Sequence, residues 1–159
     1  MPDTLLTALA PVAACAVALG GLTTWVSTGK AGSPPRITVT SGRVFLPYGS
    51  DRDTAAFFEI ANSGDADDRP VKATSPAGSE IALSRHRATQ GGAAYRADAR
   101  TASIPAGGSL SMSPHGLDVT ARAKAGWQDG DLVRFTLHFQ HSGRIEAIAV
   151  VVRPSTSGQ

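Results

Sequence analysis

Residues 127–154 read WQDGDLVRFTLHFQHSGRIEAIAVVVRP. Asp129–Gly130 is a turn dipeptide, and a long strand runs on from Leu132. His141 opens the next turn, and Arg144–Pro154 reads as a closing strand. Working outward, ITVTSGRVFLP (37–47) alternates apolar and polar residues, the period-2 mark of a strand with one buried face. TAAFFEIAN (54–62) is a second apolar strand, followed by the turn-rich SGDADDRP (63–70). VKATSPAGSEIALSRHR (71–87) gives two short strands around a Pro-Ala-Gly turn. ATQGGAAYRADA (88–99) is Gly-bearing and reads as a loop or a hairpin. TASIPAGGSLSMSP (101–114) holds two brief strand pieces around PAGG, and LDVTARA (117–123) alternates again. Short strands at this spacing, with turn chemistry between them, predict an antiparallel sandwich or Greek-key barrel. No stretch of the domain keeps helical periodicity over three turns.

The opening stretch differs. Residues 5–26, LLTALAPVAACAVALGGLTTWV, carry no charge and would span roughly 33 Å as a helix, enough to cross a bilayer. Trp25 sits near the far end, where interfacial aromatics occur. The first reading is an uncleaved signal anchor, and the second is a cleaved signal peptide. VAAC at 12–15 also resembles a lipoprotein cleavage box with Cys15 as the acylated residue, although a long apolar run follows it and the leading flank is acidic. The expected organisation is an anchor or signal at 1–29, a linker at 30–36, a β domain at 37–154 and a tail at 155–159.

Bulk composition narrows the function classes. The chain has 159 residues and a formal net charge of +2, with no basic cluster interleaved with aromatics, so nucleic acid is not an expected partner. Cys15 is the one cysteine and lies in the apolar stretch, so the domain offers no thiolate. No G-x-S-x-G elbow, H-E-x-x-H or Walker loop is present, and the chain reads as a non-enzyme. The acidic DADD (65–68) reads as a solvated, capped loop rather than a calcium site.

Three ordered pieces resemble the PCu(A)C copper chaperone family. They are DTAAFFEIANSGDADDRPVKATSPAGSEIALSRH (53–86), IPAGGSLSMSPHG (104–116) and WQDGDLVRFTLHFQHSGRIEAIAVVVR (127–153). The resemblance implies an all-β, cupredoxin-like Greek-key sandwich or barrel outside the cytoplasmic membrane, preceded here by one transmembrane or signal helix. It implies one Cu(I) ion and partners among the proteins that assemble the copper centres of respiratory oxidases. The expected location is the cell membrane, through the N-terminal helix, or the exterior if that helix is cleaved. Lys30 and Arg36 follow the apolar stretch while MPDT precedes it, which by the positive-inside rule would put the domain in the cytoplasm. An export family therefore implies a basic leader upstream of this start.

The family's ligands are a His, a Met about eleven residues on, and a His-x-Met pair further along. His86 falls at the first His. AYRA (94–97) stands where the Met is expected, and Asp118 and Thr120 stand at the His-x-Met pair. The chain has two methionines, Met1 and Met112. Candidate metal residues are therefore His86, His115, Met112 and Asp118, with a bland reading beside each sharp one. Met112 shares strand parity with Leu110 and reads as a core thioether as well as a ligand. His115 lies in a turn, either solvated or facing His86. Two imidazoles and a carboxylate suit Cu(II) or Zn(II) better than Cu(I). The rival reading is a barrel that binds no metal and serves as an interaction module in the cell envelope. His138 and His141 are three apart, cannot chelate one ion from a regular strand, and read as surface.

Overall fold

The computed structural model describes residues 3–27, 31–48, 50, 52–88, 94–98 and 102–154. Two compact units divide the chain, Met1–Ser33 and Pro34–Gln159. The first holds helix α1 (Asp3–Ser27). Its stretch Ala10–Ser27 is long and apolar enough to cross a membrane and is not buried against protein. Polar side chains late in this helix bond back to its own carbonyls. Thr23 and Thr24 hydroxyls donate to Gly20 at 3.0 and 2.8 Å, and Ser27 donates to Thr24 at 3.0 Å. Such back-bonds hide hydroxyls from an apolar surrounding.

The second unit is one sheet of nine strands: β1 (Ile37–Phe45), β2 (Asp53–Asn62), β3 (Pro70–Thr74), β4 (Gly78–Ala88), β5 (Ala94–Asp98), β6 (Ser109–Ser111), β7 (Leu117–Ala123), β8 (Leu132–Phe139) and β9 (Gly143–Val152). Their order is β3-β8-β9-β1-β2-β7-β4-β5, with β6 also on β2, and β3 lies against β4, so the sheet nearly closes into a barrel. Alternation fills it. Val133, Phe135, Leu137 and Phe139 of β8 are buried with Ala147, Ala149 and Val151 of β9. Phe58 meets Phe135 edge to face, with centroids 5.4 Å apart. Each such buried side chain contributes about 1.5–3 kcal/mol relative to exposure. The preceding residue on β2, Phe57, takes the other side of the strand, against Phe45 (5.0 Å) and under the Arg43 guanidinium (5.5 Å).

One strand pair of the expected Greek-key barrel runs parallel. β1 pairs β9 in parallel over Arg43–Phe45 and Val150–Val152, because the first and last strands of the domain meet there. Gly42 permits that approach. A Cβ on it would lie 2.6 Å from the Ile148 carbonyl oxygen and 2.7 Å from the Phe58 ring. A register shift between Val39 and Ser41 bends β1 just before this point.

The motif residues of the sequence turn out to be staples. Asn62 is buried, and its Oδ1 accepts from the N–H groups of Arg36 and Gly64, both at 3.0 Å. Its Nδ2 donates to the carbonyls of Ala66 (2.8 Å), Ile104 and Pro105 (both 3.3 Å). One amide thus holds the entering chain, the loop after β2 and the Ile-Pro-Ala-Gly-Gly turn together. Gly64 lets Pro34–Arg36 lie on it, since a Cβ there would meet the Pro34 carbonyl oxygen. Asp68 corrects the reading of DADD as a solvated loop. It is 2 % exposed, exchanges backbone bonds with Ile104, and accepts from the N–H groups of Arg69 (2.8 Å), His141 (3.0 Å) and Ser142 (2.8 Å). Burial pushes its carboxyl up, but the hydrogen bonds from Ser142, Arg69 and His141 outweigh burial and hold it below the ordinary value of 3.8.

Candidate metal end of the barrel

Four sequence-derived candidates lie along β4, β6 and β7, and the structure separates them. Met112 is 1 % exposed and belongs to the core cluster. Its N–H donates to the Phe58 carbonyl at 3.1 Å, which ends β6 and turns the thioether inward. As a metal ligand it is corrected to a core residue, since its thioether lies in the same close-packed interior as Ile60 and Ile104.

Ser113–Gly116 is a tight turn, closed by Gly116 N–H to the Ser113 carbonyl at 3.0 Å and by Ser113 N–H to the Leu117 carbonyl at 3.0 Å. Pro114 fixes φ for the position after Ser113, so the turn is set by its own sequence. His115 is exposed within it. From there β7 runs against β4 with Leu117 opposite Arg85 and Asp118 opposite Ser84. One step further along the ladder, His86 comes beside the Ser113–Gly116 turn. His86 and His115 therefore sit at one end of the barrel on adjacent backbone. The side chain of His86 lies outside the described residues, as do the side chains of 94–97.

Asp118 is 2 % exposed. Val119, its neighbour, points into the core, so Asp118 is covered on the other face of β7, across from Ser84. Thr120, which the resemblance set at the second position of the family's His-x-Met pair, continues that row. Its hydroxyl lies 3.4 Å from the Ser84 hydroxyl and donates to the Ala82 carbonyl at 3.3 Å. Thr120 and Ser84 thus form a hydrogen-bonded polar contact between β7 and β4. The register adds a residue that alternation alone does not give, with Arg96 of β5 directly opposite His86. A β4–β5 pairing is long-range information, and nothing local in AYRA signals it.

Among the described residues, no three His, Cys, Asp or Glu side chains form a group able to hold a metal ion. The donor types nearest one another in backbone position are imidazole, imidazole and carboxylate. That set matches a harder divalent ion and does not match thioether-bound Cu(I). The other histidines stand apart. His141 is exposed in the turn after β8. His138, expected at the surface, is half-buried because β3 packs beside it, with Nε2 3.4 Å from the Thr74 hydroxyl.

Comparison with known proteins agrees with this frame. The model of the LpqE-like family, described as "Putative lipoprotein LpqE-like", matches residues 37–152. No curated protein matches. Among solved structures, the copper-bound PCuAC domain from PmoF2 superposes with TM-score 0.62 at 21% identity, covering 77% of this chain and 97% of that one. The solution structure of the Cu(I) form of DR1885 from Deinococcus radiodurans gives TM-score 0.59 at 28% identity, covering 76% and 80%. The apo PCuAC domain from PmoF1 gives 0.61 at 18% identity, covering 76% and 97%. The resemblance drawn from the three sequence pieces and the barrel expected from them are both borne out.

Proposed function

The chain belongs to the LpqE-like family, and on that premise we propose that it is a PCu(A)C-type copper-handling protein of the cell envelope whose metal end has been retuned. Its barrel is the fold of domains solved with copper bound. The observation that carries the reading is the register that brings His86 beside the turn bearing His115, with Asp118 two residues along β7, opposite Ser84. These residues would hold the ion, as cargo to be passed on rather than as a catalyst. Without a thioether, the set favours Cu(II) or Zn(II) over Cu(I). Delivery towards the copper centres of a respiratory oxidase is the downstream role the family resemblance supports. The family's description as lipoproteins, together with α1, supports a protein held at the membrane or exported, either by α1 or by an acylated Cys15.

A second reading has its own support. Met112 is core, and Arg96 stands opposite His86 in the register, so the barrel also suits an interaction module that binds no metal. Titration of the chain with Cu(II), Zn(II) and Cu(I) against chromogenic chelators separates the two. One-to-one binding of a divalent ion is expected, weakened about tenfold or more when His86→Ala and His115→Ala are combined, the loss of one good ligand being worth at least 1.4 kcal/mol. Affinity unchanged in the double variant sinks the metal reading and leaves the module.

A further inference from the structure

The outward row of β3, β8 and β9 forms a strip that sorts its side chains by kind along its length. Lys72 of β3 stands opposite His138 of β8, and His138 opposite Arg144 of β9. One step on come Thr74, Thr136 and Glu146, then Arg134 beside Ile148, then Leu132 beside Val150. The alternate residues Ala73, Phe135, Leu137, Ala147 and Ala149 are core, so the row faces outward as a whole. A solvated outer face should be polar throughout. Here Leu132 is 69 % exposed, Ile148 56 % and Val150 39 %, all at one end of the strip. A groove of about 380 Å³ runs beside them, between Pro76 and Ala77 on one side and Leu132, Arg134 and Ile148 on the other.

The strip carries an excess of positive charge. Lys72, Arg134 and Arg144 are exposed on it against one exposed acid, Glu146. None of these four makes an ion pair with another described residue. Arg43, opposite Val150 on β1, adds a further cation, held over the Phe57 ring. In the turn that leads into β8, Asp129 is engaged by Arg153 at 3.7 Å and Asp131 by the Gln128 N–H at 2.8 Å. An occupant that answers both ends has anionic groups and aliphatic surface side by side. A polyanion would leave the aliphatics bare, and a second copy would bring the same excess of cations against it. An anionic bilayer surface offers phosphates to the cations and shallow acyl chains to the aliphatics. Chain connectivity favours the same occupant. The cationic end is where the chain enters the β unit, since the Ser142 hydroxyl in the β8–β9 turn donates to the Pro35 carbonyl at 3.5 Å. That unit begins at Pro34 and α1 ends at Ser27, so a tether of roughly 25 Å at full stretch keeps the strip near any bilayer that α1 enters.

We infer that the outer strip of β3–β8–β9 docks on an anionic bilayer surface, a reading that rests on α1 as a membrane anchor for the tether alone. The test uses the full chain with Cys15→Ser and an environment-sensitive fluorophore on Thr136→Cys, at the centre of the strip. It is reconstituted in vesicles of phosphatidylcholine, with or without phosphatidylglycerol, and flotation is read on the same samples. The fluorophore is expected to shift to the blue with the mixed vesicles only, and to lose that shift at high salt. Lys72→Glu combined with Arg144→Glu is expected to cut the docked fraction about tenfold or more, with circular dichroism confirming the fold. A chain that floats with both vesicles and shifts with neither overturns the docking, keeps the anchor, and leaves the strip to an acidic protein. One that floats and shifts with the mixed vesicles alone supports the docking and sinks the anchor. Flotation with neither sinks both. A shift in neutral vesicles, or one that survives the double charge reversal, overturns the proposal. So does a shift in lipid-free micelles that grows with chain concentration, which would assign the strip to a second copy.

Discussion

At the scale of single residues, the polar staples govern stability, and Asp68 is the one with a titration to read. Its carboxyl is held below 3.8 in the fold by hydrogen bonds that outweigh burial. A depressed carboxylate stabilises the fold fully above the unfolded value and ceases to as pH falls from about 3.8 through the lower folded value. Asp68→Asn turns a three-fold acceptor into a group that presents N–H to N–H, and about 1–3 kcal/mol of stability is expected to go at neutral pH. Urea unfolding at neutral pH and below 3.8 checks this, with the gap between wild type and variant narrowing in acid. A gap independent of pH would mean that the carboxylate's charge is not what its donors hold. The same scale shows where the sequence was readable. Met112 shares parity with Leu110, so its core position could be read from alternation. Asp68 could not, because nothing in DADD tells which carboxylate the Ser142 turn will cap from 74 residues away.

At the scale of elements, strand existence was written locally and strand pairing was not. ITVTSGRVF and LVRFTLHF announce themselves by period-2 alternation. Their neighbours depend on chain reversals that turns specify only in part, so the parallel β1–β9 contact and the β4–β5 register emerge from the fold. Gly42 is the local trace of the first. Gly42→Ala forces a methyl against the Ile148 carbonyl and the Phe58 ring, both fixed by other contacts. A loss of about 1–3 kcal/mol is expected, as for other overpacked sites. Hydrogen exchange should show it as earlier exchange of the Leu46 N–H, which donates to the Val152 carbonyl across the seam, than of the β8–β9 ladder. Equal protection of both in the variant would show that Gly42 does not gate the seam. The candidate metal end follows the same rule. His115 and its turn are local and legible, whereas the adjacency of His86 rests on the β4–β7 ladder.

At the scale of the whole molecule, the β domain begins earlier than alternation indicates. Period-2 reading starts at Ile37, yet Arg36 N–H bonds Asn62 and Pro34 lies on Gly64. A chain starting at Ser33 is expected to keep the domain's full thermal stability. One starting at Ile37 leaves the Asn62 carbonyl oxygen short of a donor, and about 1–3 kcal/mol less stability is expected. Calorimetry of the two truncations decides it, and equal melting would remove the linker from the fold. The first and last strands of the domain meet in β1–β9, and that bears on how the protein is made. The sheet has no complete N-terminal half, so a nascent chain lacks its closing strand until Val152 has been synthesised. Contacts this distant in sequence form late and slowly. The domain therefore stays open while it is being made, and the barrel shuts only once its closing strand has arrived.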